Sequence, residues 1–164
     1  MIFLTVGTLF PFDRLVRAVD SAVGKGLIKD EVFAQIGCDS FKPKNMGYVE
    51  LLDKNTFDKK VNKATHLISH AGIGTITMAL DFNKPILVMP RRKHLKEHVN
   101  DHQVATARKF EELGHVLVAY KTEELLERIE HLRNFIPSKR KAQPEAVAER
   151  IANFLRACNK TMFI

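Results

Sequence analysis

The chain has little cysteine and no long hydrophobic run. Its two cysteines, Cys38 and Cys158, lie far apart and form no C-x-x-C pair, so the sequence predicts reduced packing thiols rather than a disulfide framework or a zinc ribbon. The longest apolar run covers residues 116–120, whereas a membrane-spanning helix needs roughly 20 apolar residues. We therefore expect no segment that crosses a bilayer.

The sequence also lacks the features of a secretory leader, a repeat or a low-complexity segment. Residues 1–8 contain no basic segment followed by a small-residue cleavage site, so a cytoplasmic location is expected. With 164 residues, 45% of them apolar and 27% charged, the composition is typical of one folded domain. It argues against disorder, a collagen-like repeat and a coiled coil.

Positive charge exceeds negative charge. The chain has 26 basic and 19 acidic residues, a formal net charge of +7, with the excess concentrated at Arg91-Arg92-Lys93 with Lys96 and at Lys139-Arg140-Lys141. This local excess of positive charge suits an anionic partner, which could be nucleic acid, an anionic membrane surface or a phosphorylated ligand. A solvated face is the alternative for both runs. No basic and aromatic stretch accompanies the charge, so nucleic acid has the least support.

Short apolar runs alternate with helical patterns along the chain. The predicted strands are 2–6, 32–36, 67–68, 86–89 and 116–120. Apolar residues at three- and four-residue spacing predict helices over 12–23 with Pro11 in the first turn, 73–80, 104–110 before a glycine stop at Gly114, 125–132 and 144–158. Continuous apolar strands are typical of a parallel sheet. The sequence predicts one α/β domain over 1–164, a Rossmann-like parallel sheet flanked by helices, with the last helix packing as an extension.

Two glycine turns follow predicted strands, at the edge of the sheet where ligands of this architecture bind. Residues 69–75, Ser-His-Ala-Gly-Ile-Gly-Thr, follow one strand and begin a helix, and Gly7-Thr8 repeats the arrangement after the first strand. Glycine lets the backbone approach a ligand closely, and a helix N-terminus binds phosphate. Tight turns use glycine without a ligand as well, so both turns also have a purely structural interpretation.

A third candidate is the polar loop over residues 91–103. Arginine suits phosphate, whereas Asp, His, Asn and Gln suit sugar hydroxyls. His94, His98 and His102 are four residues apart, and a helix through them would align three imidazoles for a metal, although the flanking basic residues oppose a bound cation. The sequence contains no Asp-x-Asp pair, no G-x-S-x-G elbow and no convincing Cys/His nucleophile pair. Hydrolase chemistry is therefore not predicted.

Several spaced motifs together resemble the C-terminal, donor-binding domain of the family 28 glycosyltransferases, which have the GT-B fold. The motifs are residues 69–75, Lys84-Pro85 with the strand to Pro90, Asp101-His102-Gln103 and Gly114-His115. Residues 5–8, 12–16 and 90–103 further resemble the soluble PssE-type subunit of bacterial exopolysaccharide and capsule glycosyltransferases. The resemblance covers residues 1–155.

This resemblance implies a single GT-B lobe, the donor-binding half of a two-component transferase. The chain would bind a UDP-sugar without a metal cofactor, and a membrane-associated partner would bind a lipid-linked sugar acceptor and recruit the chain to the inner face of the membrane. The eukaryotic two-subunit enzyme that adds the second GlcNAc to a dolichol-linked precursor is similarly divided. The implied function is hexose transfer in exopolysaccharide or capsule synthesis. The alternative is a non-catalytic partner that stabilises or enhances a membrane-associated transferase.

The resemblance also implies which residues face the donor. Gly7, Thr8 and the helix start at 72–75 would face the diphosphate, and His102 and Gln103 would contact the donor sugar or a phosphate. The complete implied set is Gly7, Thr8, His70, Ala71, Gly72, Gly74, Thr75, Arg91, Arg92, His98, Asp101, His102 and Gln103. Arg91 or Arg92 would stabilise the leaving UDP. No catalytic base is predicted in this chain, because the partner would supply it.

One position departs from the family pattern. Met78 stands where the family usually has a Glu that contacts the ribose hydroxyls, and a Met side chain cannot accept those hydrogen bonds in the same way. Asp81, three residues further on, is the nearest substitute on the same helix face. The last helix and the apolar tail at 162–164 are candidates for docking the partner, and a frayed terminus is the alternative for the tail.

Overall fold

The computed structural model describes residues 1–139 and 144–161 of the chain. The strands are β1 (Ile2–Thr5), β2 (Val32–Gln35), β3 (Gly47–Val49), β4 (His66–His70), β5 (Ile86–Met89) and β6 (Leu117–Val118). The helices are α1 (Asp13–Gly24), α2 (Lys54–Lys63), α3 (Ile73–Asp81), α4 (His102–Glu112), α5 (Leu125–Leu132) and α6 (Pro144–Thr161), with a short 3-10 turn at Thr122–Glu124 before α5.

All six strands pair in parallel, in the order β3-β2-β1-β4-β5-β6. The chain first builds outward from β1 through β2 to β3, and then returns to the other side of β1 with β4. The strand order therefore reverses between β1 and β4, which is the point where open α/β sheets leave a crevice at their carboxyl edge. The predicted α/β architecture with a parallel sheet is confirmed.

Helices cover both faces of the sheet because neighbouring residues of a buried strand point to opposite sides. Leu4 packs in a cluster with buried residues of α1 and α5, whereas Phe3 packs in a second cluster with residues of α2, α3 and α4. Every residue of β1 and β5 is buried. These continuous apolar strands are the reason that the sequence identified the centre of the sheet correctly.

Two elements were not predicted, and both have weak apolar patterns. β3 has only three residues, lies at the sheet edge and is largely exposed. In α2 the apolar contacts come from Phe57 and Val61, which are four residues apart. Its clearest local signal is the N-cap, where the Asp53 carboxylate accepts a hydrogen bond from the Thr56 amide at 3.0 Å.

Two local predictions were wrong. Pro11 lies before α1 rather than in its first turn, because Phe12 is the N-cap and the helix begins at Asp13. Cys38 is exposed rather than packed, because the chain leaves the sheet after β2 at Gly37, whose φ is +77°. The glycine stop after α4 is confirmed, with Gly114 at φ +67°.

Several predicted features lie outside the described residues or side chains. They are Arg140 and Lys141 of the second basic run, the tail at 162–164 and the Cys158 side chain.

The last helix is present, but its apolar stripe faces solvent. Val147, Ile151, Phe154 and Leu155 are 60%, 55%, 67% and 57% exposed. Their spacing places them on one side of the helix, as the sequence predicted. Within the described part of the chain, no helix combines the length and apolarity needed to cross a membrane.

The segment between β2 and β3 is anchored to α1 by a buried carboxylate. Asp20, which is 5% exposed, accepts hydrogen bonds from the amides of Lys44 and Asn45 at 3.0 and 2.7 Å and from the Asn45 side chain at 3.1 Å. A buried carboxylate is tolerated in a fold when several donors satisfy it. Asp20 therefore holds the Lys44-Asn45 part of this loop against α1, while Phe41 and Met46 pack with the core.

We expect the substitution Asp20→Ala to lower the free energy of unfolding by about 2–3 kcal/mol, because three donors lose a charged acceptor. The matched control is Asp58→Ala. It removes a carboxylate that pairs with Lys54 on the surface of α2 and should cost less than about 0.5 kcal/mol. Urea denaturation of both variants measures the difference. Equal losses in the two variants would contradict the anchoring role.

Candidate functional site

A cavity of about 290 Å³ lies at the carboxyl edge of the sheet, where the strand order reverses. Three loops form it: the loop from β1 to α1, the turn from β4 to α3, and the loop from β5 to α4. Its lining residues are Val6, Gly7, Thr8, Leu9, Phe10, His70, Gly72, Gly74, Thr75, Arg91, His98, His102 and Gln103. All three loops singled out in the sequence therefore meet at one site.

Three of the predicted donor-binding residues do not line this cavity. Ala71 is buried in the core. Asp101 accepts a hydrogen bond from the Lys93 amide at 2.8 Å and precedes α4. Arg92 lines a separate cleft with Arg14 and Tyr120. The other predicted residues meet here, and the sequence analysis missed Val6, Leu9 and Phe10, which flank the Gly7-Thr8 turn and were identifiable only by that position.

The site is rich in backbone N–H groups without a partner. α3 begins after Gly72 with no side-chain cap, and among the described residues the amides of Ile73, Gly74 and Thr75 have no hydrogen-bond acceptor. The same holds for the amides of Thr8 and Leu9 within the described part of the chain. Unpaired N–H groups at a helix start and a positive dipole end attract an anion. Both glycine turns therefore present donors around one cavity.

The two glycines are required because the His70 ring fills the space beside them. A Cβ atom on Gly72 would overlap His70 Nε2, and one on Gly7 would lie 3.0 Å from His70 Cε1. Gly7 also has φ +80°, a conformation that side-chain-bearing residues rarely adopt. By contrast, nothing lies within 4 Å of a Cβ placed on Gly74. Gly74 keeps the mouth of the cavity open rather than making room for a neighbour.

The tautomer of His70 follows from its hydrogen bonds. Ser69 Oγ donates to the Thr5 carbonyl at 2.7 Å, so it accepts from His70 Nδ1, which is 3.2 Å away. This assignment places the proton on Nδ1 and leaves Nε2 as an acceptor next to the glycine turns. Burial, with help from the positive charge of Arg91 and from His98, lowers the pKa of His70 to about 4. His70 is therefore neutral at pH 7.

Arg91 supplies a buried positive charge at the site. Its side chain is 3% exposed, its Nη2 donates to the carbonyls of Val6 and Phe10 at 2.9 and 2.6 Å, and its Nε has no partner among the described residues. Burial lowers the pKa of Arg91 to about 10, and the charge of Glu97 opposes that effect. The group remains protonated at pH 7.

The backbone of Arg91 orients Gln103. The Arg91 amide donates to Gln103 Oε1 at 3.1 Å, which fixes the side-chain amide so that its NH₂ group is the end left to donate to a ligand. Gln103 is 3% exposed and lies at the start of α4. The site thus pairs a fixed amide donor with the buried guanidinium.

The histidines do not form the aligned row that a helix would have produced. His94 lies in the loop before α4, whereas His102 is the first residue of that helix. The rings of His98 and His102 stack edge to face at 4.6 Å, and His102 Nδ1 contacts the Asn100 side chain. Within residues 1–139 and 144–161, no group of three His, Cys, Asp or Glu side chains is placed to hold a metal ion.

Neither residue considered for ribose binding lines the cavity. Met78 is partly buried and packs against the core cluster under α3. Asp81 is the last residue of α3 and is exposed, one helical turn further from the cavity than Met78. The expectation that Asp81 substitutes for the missing Glu therefore gains no support from its position.

The chain matches a known protein family over most of its length. Residues 1–157 match the model of the glycosyltransferase family 28 C-terminal domain. The chain belongs to this family. The parallel sheet with helices on both faces also occurs in the lobes of GT-B glycosyltransferases of known structure, so the predicted single GT-B lobe is confirmed at the level of the fold.

Relatives of this family 28 domain include proteins named UDP-N-acetylglucosamine transferase subunit ALG13. The chain is 36% identical over 97 residues to the one from Cryptococcus neoformans, covering 58% of this chain and 46% of the relative. It is 29% identical over 124 residues to the human protein, covering 70% of this chain and 10% of the relative. The chain thus spans less than half the length of these relatives. A solution structure of ALG13 superposes with a TM-score of 0.58 at 19% identity, covering 88% of this chain and 91% of that one.

The glycine geometry predicts opposite effects at two neighbouring positions. We expect Gly72→Ala to lower the free energy of unfolding by about 1–3 kcal/mol, because the new methyl group overlaps the His70 ring. Gly74→Ala should be neutral or stabilise by up to about 1 kcal/mol, since Ala is the better helix former and meets no neighbour. Chemical denaturation of both variants measures this. A Gly72→Ala protein as stable as Gly74→Ala would show that His70 is not held against the turn.

The lowered pKa of His70 predicts a loss of stability in acid. Its folded pKa of about 4 lies below the ordinary 6.5, so the unfolded chain binds the proton more readily. The favourable contribution is complete above pH 6.5 and is lost as the pH falls towards 4. Between pH 7 and pH 4.5 wild type should lose about 2 kcal/mol more than His70→Gln. Urea denaturation at both pH values tests this, and parallel losses in the two proteins would contradict it.

Proposed function

We propose that this family 28 domain is the donor-binding subunit of a two-component glycosyltransferase and that its cavity takes a UDP-sugar. The observation that carries the proposal is the convergence of unpaired amides from two glycine turns with the buried guanidinium of Arg91. An anion in the cavity would meet donors from both turns and the positive charge of Arg91. Family membership supports a nucleotide sugar as that anion.

The cavity lining suits two parts of a nucleotide sugar, the diphosphate and the sugar. The amides at 73–75 and at 8–9, with Arg91, suit a diphosphate because each is a donor or a positive charge. Gln103 and His102 lie at the start of α4 and suit the hydroxyls of the sugar. The volume of about 290 Å³ lies at the lower end of ligand pockets. A second chain would cover the part of the donor that this cavity leaves open.

The names of the relatives support a separate acceptor-binding chain. The chain matches the C-terminal domain of its family, and its relatives bear the name of a transferase subunit. We propose that a membrane-associated partner provides the other half, binds a lipid-linked sugar and brings this domain to the inner face of the membrane. The exposed apolar stripe of α6 is the candidate surface for that partner.

The proposed reaction transfers a hexose from the donor to an acceptor hydroxyl. The hydroxyl oxygen bonds to the anomeric carbon, the bond from that carbon to the phosphate oxygen breaks, and the proton passes to a base on the partner. Negative charge then grows on the leaving UDP. Fixed N–H groups and Arg91 stabilise this charge in place of a metal ion. The motifs at 90–103 favour exopolysaccharide or capsule synthesis as the setting.

A second candidate function has one observation in its favour. Met78 replaces a ribose ligand of the family and packs into the core instead, which would suit a subunit that stabilises or enhances a transferase without binding the donor. Transfer by the membrane subunit alone, with a modest gain on adding this chain, would support that alternative.

Titration calorimetry with UDP and UDP-sugars, with and without a chelator, tests the proposal. We expect binding that survives chelation and weakens by at least about tenfold in Gln103→Ala, which loses a buried donor, and in Gly74→Val, which fills the open cavity mouth. Asn55→Ala on the exposed side of α2 is the control and should bind as wild type does. Unchanged affinity in both site variants would overturn the site assignment. Absence of binding alone and with the co-expressed partner would overturn the donor-binding function.

A further inference from the structure

Few hydrogen bonds hold the loop from β1 to α1 in place, although the Phe10 ring packs edge to face on His98 at 5.5 Å. Inside it, the amides of Thr8 and Leu9 have no acceptor among the described residues. The Gly7 amide makes a 3.3 Å contact with Thr5 Oγ1, and its carbonyl accepts from Gln35 Nε2 at 3.3 Å. Both distances are long for hydrogen bonds. The shorter hydrogen bonds to this loop come from the Arg91 guanidinium.

The two short hydrogen bonds from Arg91 are accepted on either side of the glycine turn. Arg91 Nη2 lies 2.9 Å from the Val6 carbonyl, at the end of β1, and 2.6 Å from the Phe10 carbonyl, at the far side of the turn. One nitrogen thus ties together two points of the backbone that flank Gly7, Thr8 and Leu9. The guanidinium also packs over the Phe12 ring, with 5.0 Å between Cζ and the ring centroid.

We propose that Arg91 is a positioning residue that pre-forms the anion site, an inference that rests on the proposed function. Its side chain holds the turn whose unpaired amides line the cavity. Its backbone amide holds Gln103, another residue of the cavity lining, through the 3.1 Å bond to Oε1. One residue after β5 therefore holds two parts of the lining, the glycine turn and Gln103.

The charges around the Arg91 guanidinium favour an anionic ligand. The nearest carboxylate, Glu97, is bound by Arg14 through bonds of 2.6 and 2.9 Å, so it does not form a salt bridge with Arg91. The Arg91 guanidinium donates to two backbone carbonyls, Glu97 acts on it through its charge without a hydrogen bond, and its buried Nε has no partner among the described residues. A buried charge without a directly bound counterion is costly. An anion in the cavity supplies the missing counter-charge.

Arginine and lysine should differ at this position. The guanidinium is a rigid planar fork that donates to several acceptors, whereas an ammonium group is a point charge on a flexible stem. A lysine at position 91 keeps the charge but does not reproduce the bonds to both carbonyls together with the stacking on Phe12. Arg91→Lys therefore separates positioning of the loop from simple attraction of an anion.

The test uses the full chain and two readouts. The first, in the ligand-free protein, is NMR relaxation of the Gly7, Thr8 and Leu9 amides, which gives their order parameters. The second is calorimetric affinity for UDP and for inorganic pyrophosphate. In Arg91→Lys and Arg91→Met we expect lower order parameters confined to this turn and affinities at least about tenfold weaker, because bonds from a charged donor are lost. Arg128→Gln, at a partly exposed position of α5 outside the cavity lining, removes the same charge and should match wild type in both readouts.

The outcomes separate this inference from the proposed function. Turn amides that keep wild-type order parameters in a folded Arg91→Lys would overturn the positioning role, as would wild-type affinity in that variant. If Arg91→Met does not fold, guanidinium ion added at millimolar concentration to Arg91→Ala should restore order to the turn, and failure to do so counts against the role. Wild type that binds neither UDP nor UDP-sugars, with a turn that still loosens in the variants, overturns the proposed donor and leaves the positioning of the turn supported.

Discussion

The reversal of strand order between β1 and β4 is the constraint on which the rest of this structure depends. The two strands pair in register, with Thr5 opposite Ser69, and the Ser69 hydroxyl bonds to the Thr5 carbonyl at their shared end. Beyond that point the chain continues to α1 on one face and to α3 on the other. Where the two segments separate, their backbone N–H and C=O groups have no neighbouring strand to pair with. They are therefore collected in one crevice, which is where a ligand can satisfy them.

The charges around the crevice then suit an anionic ligand better than a cationic one. Among the residues that the structure describes, no carboxylate forms a salt bridge with the buried guanidinium of Arg91, whereas its neighbour Arg14 is paired with Glu97. His70 stays neutral beside it because burial and Arg91 both disfavour a second positive charge. The structure thus keeps one positive charge and a set of N–H donors facing a cavity with no carboxylate among its lining residues. This arrangement is unfavourable when empty and favourable around an anion.

The sequence was informative where residues act locally. Continuous apolar strands showed the parallel sheet, and glycines after predicted strands showed both turns of the site. The sequence did not reveal contacts between residues that are distant along the chain, or hydrogen bonds from side chains to backbone atoms. Arg91 could be recognised as a phosphate candidate, but its bonds to the carbonyls of Val6 and Phe10 join positions more than eighty residues apart. The exposure of Cys38 and the edge strand β3 likewise depend on the path of a loop held by Asp20, and no periodic pattern records that path.

The close fit of His70 against Gly72 limits how this site can vary over evolutionary time. A methyl group at position 72 has no room while the imidazole is present. A smaller side chain at position 70 would leave a void and remove the donor that Ser69 Oγ accepts from, although Ser69 would keep its bond to the Thr5 carbonyl. Each position is therefore acceptable only given its neighbour, and single substitutions at either one lead through a less fit intermediate. We expect the two positions to change together or not at all among descendants of this chain.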